Sequence, residues 1–252
     1  MRSAENEMSQ TPPEKIRNMD WRINNITWTT EPFTMPGTST VMSAGAAVTE
    51  GALIPYRSER IGITVPNATA LFLGLSHTHH EEAEYWKNKC ITKKNKANQL
   101  PESESSTFFE RIMASVVFAY TSLEAFVNEE VPDDYIYEAV EKNCTRSFVK
   151  EQIERSLNLD TKLGNVLPKV LNVASPKGGK LWSDYDKLQN LRDRIIHMKT
   201  KDRQSRGEDT DFIWNDLFSD PLPETYKTAK NLMKYFLDAK GKTPRWFEKC
   251  PF

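Results

Sequence analysis

The chain has 252 residues and 29.0 kDa, 38% of them hydrophobic, 10% aromatic and 27% charged, with mean hydropathy −0.62; this is enough for one domain with an extension, or two, and too aromatic for global disorder. A net charge of −1, from 34 basic and 35 acidic residues, excludes a protein that coats nucleic acid by bulk charge alone, and no apolar run approaches the roughly 18 residues of a membrane span. Three distant cysteines, Cys90, Cys144 and Cys250, encode neither a disulfide framework nor a thiolate zinc site; with no apolar leader in the first residues, a soluble protein of a reducing cytoplasm is expected.

Residues 1–20, rich in Ser, Glu and Gln around Pro12-Pro13, read as a flexible tail. From Trp21 to about Ser76, short β-branched or aromatic runs alternate with Pro and Gly signals: Trp21–Trp28, Ala46–Ile54, Ile61–Val65 and Ala70–Leu75. They predict a small, mostly antiparallel β region. A helix follows over Glu81–Ala97, so that residues 21–100 form a small β-containing extension ending in a helix. Within it, His77-Thr-His-His-Glu-Glu82 offers two histidines at strand spacing with carboxylates nearby. Without a second ligand cluster this reads as a polar turn ahead of a helix, and no metal is expected. Pro101–Ser106 is polar, Pro-led and aperiodic, the pattern of a linker.

Residues 107–240 are helical in pattern almost throughout. Phe109, Ile112, Val116, Ala119, Leu123, Phe126 and Val127 follow one apolar stripe at three-and-four spacing, which Pro132 ends. Shorter helices are predicted after Asp133-Asp134, after Thr145 and after Asp160-Thr161. A helix over about Leu181–Lys199 buries Leu181, Tyr185, Leu188, Leu191 and Ile195. The last runs from Pro223 to Ala239 and closes before Gly241, leaving residues 241–252 as a C-terminal tail. The expected fold is mainly α, a helical bundle with a small β-containing N-terminal extension, α+β overall.

Charge is partitioned along the chain. Residues 101–176 carry a net −6, whereas residues 177–206 carry nine basic and four acidic side chains, a net +5. That basic stretch holds Leu188-Gln-Asn-Leu-Arg-Asp-Arg-Ile-Ile-His-Met198, with the only histidine of the helical half. At about 100° per residue, Asp186, Asn190, Asp193 and His197 form one polar stripe, which puts Asp193 within reach of an imidazole nitrogen of His197. A carboxylate on one ring nitrogen fixes the tautomer and leaves the other free to pass a proton. Arg192 brings a permanently charged, forked guanidinium suited to gripping a phosphate. Its direction differs from that of His197 by roughly 140°, so one helix focuses the two poorly, and a two-fold pair of such helices lining one cleft is expected. The plainer alternative is an ordinary bundle helix whose Arg, Asp and His make surface pairs.

Arg192-Asp-Arg-Ile-Ile-His197 resembles the RX4–6H signature of the HEPN domain (higher eukaryotes and prokaryotes nucleotide-binding), including the polar residue after the arginine. Tyr120-Thr-Ser-Leu-Glu-Ala-Phe-Val-Asn128 is similar to the first helix of that domain, and the resemblance covers roughly Phe108–Ala239. It implies a HEPN-like helical bundle acting as a metal-independent endoribonuclease without cofactor. The enzyme would be a homodimer of the bacterial toxin or phage-defence kind, with RNA as substrate and an antitoxin or regulatory protein as partner. By the same resemblance Arg192 holds the scissile phosphate, His197 serves as general base or acid, and Asp193 orients it. Attack by the RNA 2′-hydroxyl would leave a 2′,3′-cyclic phosphate. Glu124, Asn128 and Asn190 either brace the site or are ordinary helix polars. Lys177, Lys180, Arg194, Lys199 and Lys201 are the expected contacts to the RNA backbone. The alternative is a HEPN-like dimerisation or nucleotide-binding module without catalysis.

Overall fold

Apolar and small side chains recur at three-and-four spacing from Ala70 through Leu73, Gly74, Ala83 and Cys90, and in the computed structural model this stretch is one continuous helix, α1 (Ala68–Thr92). The structure describes residues 19–23, 27–34, 39–140, 144–203 and 212–252. The fold is mainly α, α+β overall: among the described residues helices dominate, accompanied by four two-stranded antiparallel sheets. Two compact units divide the chain, residues 1–67 with 244–251, and residues 68–243 with 252.

In the first unit, β1 (Thr27–Trp28) pairs with β4 (Ala47–Val48), β2 (Phe33–Thr34) with β3 (Val41–Met42), and β5 (Gly51–Tyr56) with β6 (Glu59–Thr64). The β5–β6 hairpin is the longest, with Gly51 opposite Thr64 and Tyr56 opposite Glu59, and Arg57 takes a positive φ of 53° in its two-residue turn. A short helix, Arg245–Glu248, lies in the segment read as a C-terminal tail. The Arg245 guanidinium donates to the carbonyls of Asp20 and Met19 at 3.1 and 2.9 Å. Apart from Met19 and Asp20, the expected N-terminal tail falls outside the described residues.

The second unit is built on α1 and α2 (Glu102–Glu130). The Ser76 hydroxyl donates to the Ser115 carbonyl and the Ser115 hydroxyl to that of Ser76, both at 2.8 Å, where small side chains face one another. Phe108, Ile112, Val116, Ala119, Leu123, Phe126 and Val127 of α2 are fully buried. Residues 102–106, expected as a linker, are instead the first turns of α2, where Glu102 and Glu104 favour a helix N-terminus. Ala70–Leu75, expected as a strand, belongs to α1 because Ala70 and Leu73 share a helical stripe facing the core.

After Val131 the expected short helix is replaced by a hairpin of β7 (Ile136–Val140) and β8 (Thr145–Val149). Alternation explains it: Tyr137 points inward at 5% exposure while Ile136 and Val140 point outward. Then come α3 (Lys150–Ser156), α4 (Leu159–Thr161), a π-helical turn over Lys162–Val166, and α5 (Leu167–Leu171). The helix expected over Leu181–Lys199 is α6 (Lys180–His197), stopped by Met198 in the left-handed region. Two short helices follow, α7 (Thr200–Arg203) and α8 (Ile213–Leu217), then α9 (Thr225–Lys240), which ends at Gly241 with φ 68°. Tyr185, Leu188 and Ile195 of α6, and Ala229, Leu232, Met233, Phe236 and Leu237 of α9, are buried with α1 and α2 in one core.

Leu123, fully buried, is predicted to cost about 2–5 kcal/mol when truncated to Ala. The exposed Ile196 is predicted to cost no more than about 0.5 kcal/mol. Urea denaturation of the two variants checks the contrast.

Candidate functional site

Amphipathic α6 presents its motif residues in different directions, as the residue spacing requires. Arg192 lies against α2, its Cζ 4.1 Å from the centroid of the Tyr120 ring. Its Nη1 donates to the Asp193 carboxylate at 2.6 Å. The expected Asp193–His197 pair is therefore corrected: the carboxylate turns to the permanently charged neighbour beside it. His197 is the last residue of α6 and is exposed, with no hydrogen-bond partner among the described residues.

Tyr120 rests on a buried ring with a polar tip. Its ring stacks on that of Tyr185, with centroids 6.4 Å apart and 18° between the planes, and the Tyr185 hydroxyl donates to Asp160 Oδ1 at 2.5 Å. Burial raises the titration of both phenols, and at Tyr185 the Asp160 hydrogen bond pushes the same way. Both therefore stay protonated. Asp160 stands in the first turn of α4, where the Asn158 side chain caps the Thr161 amide at 2.8 Å.

Beside this stack, Lys162 is fully buried in the π-helical turn. Its ammonium donates to the Glu154 carbonyl at 2.8 Å and to Asn128 Oδ1 at 3.2 Å. Asn128 thus has an internal structural partner. Burial pushes the Lys162 ammonium below the usual lysine value, and the charges of Glu124 and Glu154 oppose that fall. Glu124 is half-buried between Tyr120 and Lys162 in this electrostatic sense, and it has no hydrogen-bond partner among the described residues.

The expected RNA contacts divide. Arg194 does not present itself to a ligand: it donates to Asp202 at 2.6 Å and to Asp216 at 2.8 Å. Asp202 is fully buried and also accepts from the Ile213 amide at 3.2 Å, so the arginine neutralises an internal charge. Lys180 pairs with Asp184 one turn on, at 2.7 Å. Lys177 lies over the Trp182 ring and donates to Asn165 at 3.3 Å. Lys199 is exposed just past His197. The backbone of Lys201 is in α7, and its side chain lies outside the described residues. Asn190 is exposed and lines a groove of about 350 Å³ with Lys187, Leu191 and Pro223.

His77, His79 and His80 lie within α1 rather than in a turn, and no group of three or more metal-ligating side chains occurs among the described residues. Tyr120, Tyr185, Asp160 and Lys162 were not legible as a cluster. Their signal was a phenol and an ammonium at helix positions that face the core, where each polar tip needs a partner. No family model matches the chain, and no curated protein or solved structure matches it.

The buried lysine has a measurable consequence. Its titration is lowered in the fold, so the unfolded chain binds the extra proton and stability rises as the pH climbs towards the ordinary value of 10.5. Lys162→Met is predicted to remove that slope. Urea midpoints of wild type and variant, compared between neutral and alkaline pH, read it; parallel curves would contradict the assignment.

Proposed function

We propose that the chain is a metal-independent endoribonuclease of the HEPN type, a homodimer acting on RNA in a bacterial toxin or phage-defence role under the control of an antitoxin or regulatory partner. The observation that carries this reading is the pairing, on one helix, of an arginine laid on a tyrosine ring with an exposed histidine that has no hydrogen-bond partner among the described residues. Arg192 would hold the scissile phosphate and stabilise the charge that grows on it. His197 would take the proton from the 2′-hydroxyl as that oxygen attacks phosphorus. The 5′-oxygen leaves with a proton supplied by a second acid, for which a two-fold site offers His197 of the partner subunit. The divergent directions of Arg192 and His197 support such a shared cleft. Asp193 acts here through Arg192 rather than through His197. Among the described residues no helix is long and apolar enough to cross a membrane.

One observation favours a second reading, a HEPN-like dimerisation or nucleotide-binding module without catalysis: the Asp193 carboxylate is engaged by Arg192 and, among the described residues, does not orient His197. RNA incubated with the protein in excess EDTA separates the two, being cut under the first and bound intact under the second. Cutting that EDTA abolishes would point to a metal instead. His197→Ala is predicted to lower the cleavage rate at least about a hundredfold while preserving RNA binding, and mass spectrometry of the wild-type fragments should show 2′,3′-cyclic phosphate ends. Equal rates for both proteins, or plain 3′-hydroxyl ends, would overturn the ribonuclease assignment.

A further inference from the structure

A guanidinium is planar, with five N–H groups around its rim and two faces. At Arg192 one face is covered by Tyr120, at 4.1 Å from Cζ to the ring centroid, and Nη1 is taken by Asp193 at 2.6 Å. The Arg192 side chain keeps 30% of its surface exposed and that of Asp193 keeps 45%. The arginine therefore has a fixed underside and an open rim, and its carboxylate partner is free to swing into solvent.

The underside is fixed by burial as well as by contact. Tyr120 is 6% exposed and stacked on Tyr185, which is fully buried and anchored on Asp160 at 2.5 Å. Three elements, α2, α4 and α6, thus converge to hold one ring in place beneath one guanidinium. A surface arginine with no such platform samples many rotamers and must be ordered by its ligand; this one is ordered beforehand. Asp193 supplies, in the resting protein, the anionic oxygen that a guanidinium rim selects.

We infer that Tyr120 is a positioning residue that fixes Arg192 as a preformed phosphate seat, and that the Asp193 carboxylate is the resident anion that an RNA phosphate displaces. This rests on the proposed function only in taking Arg192 as the group that meets the RNA phosphate, and it does not require cleavage.

The test measures binding of a short labelled oligouridylate to the full chain carrying His197→Ala, so that nothing is cut. Tyr120→Phe keeps the ring and should bind within about twofold of that parent; Tyr120→Leu removes it and should bind about fivefold more weakly. In an Arg192→Ala background, Tyr120→Leu should have no further effect, which separates positioning from general damage to the fold. Asp193→Asn should bind about fivefold more tightly, because the competing charge is gone. In the wild-type chain, the Arg192 Nε–H resonance, identified by its loss in Arg192→Lys, should move on titration with inorganic pyrophosphate, a readout that needs no Tyr120 variant.

Unchanged affinity for Tyr120→Leu, no tightening for Asp193→Asn, or a stationary Arg192 resonance would each overturn the inference. If these binding results hold while wild-type protein leaves RNA intact in EDTA, the ribonuclease reading fails and the phosphate seat stands.

Discussion

Ser76 and Ser115, each donating its hydroxyl to the other's backbone carbonyl, are the point at which α1 and α2 close on one another. Two larger side chains there would hold the helices apart, and two small apolar ones would not tie them. The facing of these helices sets the surface on which the rest of the helical unit is laid: Phe126 of α2 stacks towards Phe236 of α9, and Tyr120 of α2 towards Tyr185 of α6. Several of the polar tips brought inward by this arrangement meet a partner. Tyr185 meets Asp160, Lys162 meets Asn128 and the Glu154 carbonyl, and Lys87 meets the Ser219 carbonyl at 2.7 Å. An interior that holds such groups in fixed pairs is costly to rearrange, because each broken pair strands a buried donor or charge.

The apolar periodicity of α2, α6 and α9 was legible in the sequence because each stripe is long, and two of the three end at a recognisable stop: Pro132 after α2 and Gly241 after α9. The hairpin over 136–149 was not, since Ile136-Tyr-Glu-Ala-Val140 is too short for its alternation to outweigh the helical context on both sides. The start of α1 was misread for the opposite reason. Thr69 and Ser76 look like surface or strand residues in a window of a few positions, yet both are fully buried on a helix of 25 residues. At the candidate site the stripe of spacing was correct and the partner was wrong. Helical phase says that Asp193 and His197 share a side, but it does not say that a neighbouring guanidinium will claim the carboxylate.

The same limit applies to charge. A net +5 over residues 177–206 counts Arg194 as fully as any surface lysine, although Arg194 serves the buried carboxylate of Asp202 and the more exposed one of Asp216. Arg203, itself exposed, donates to the Met198 carbonyl at 2.6 Å where α6 ends. Charge open to a polyanion is therefore not the sum over the stretch: Arg194 is withdrawn from it, while Lys180 and Lys187, although near Asp184, stay largely exposed.

The π-helical turn over Lys162–Val166 fits one residue more into its coil than an α-helical turn does. Its Gly164 carbonyl accepts from the Ser175 hydroxyl at 2.7 Å, and the absent side chain of Gly164 leaves room for the stem of Lys177, whose Cε would lie 2.1 Å from a β-carbon there. A π turn takes in its extra residue as a local bulge, so α5, anchored in the core through Leu167, and α4, which carries Asp160, keep nearly the phase of one continuous coil. The turn works as slack in the chain: it accommodates an added residue, and with it the buried Lys162, without carrying Asp160 away from Tyr185.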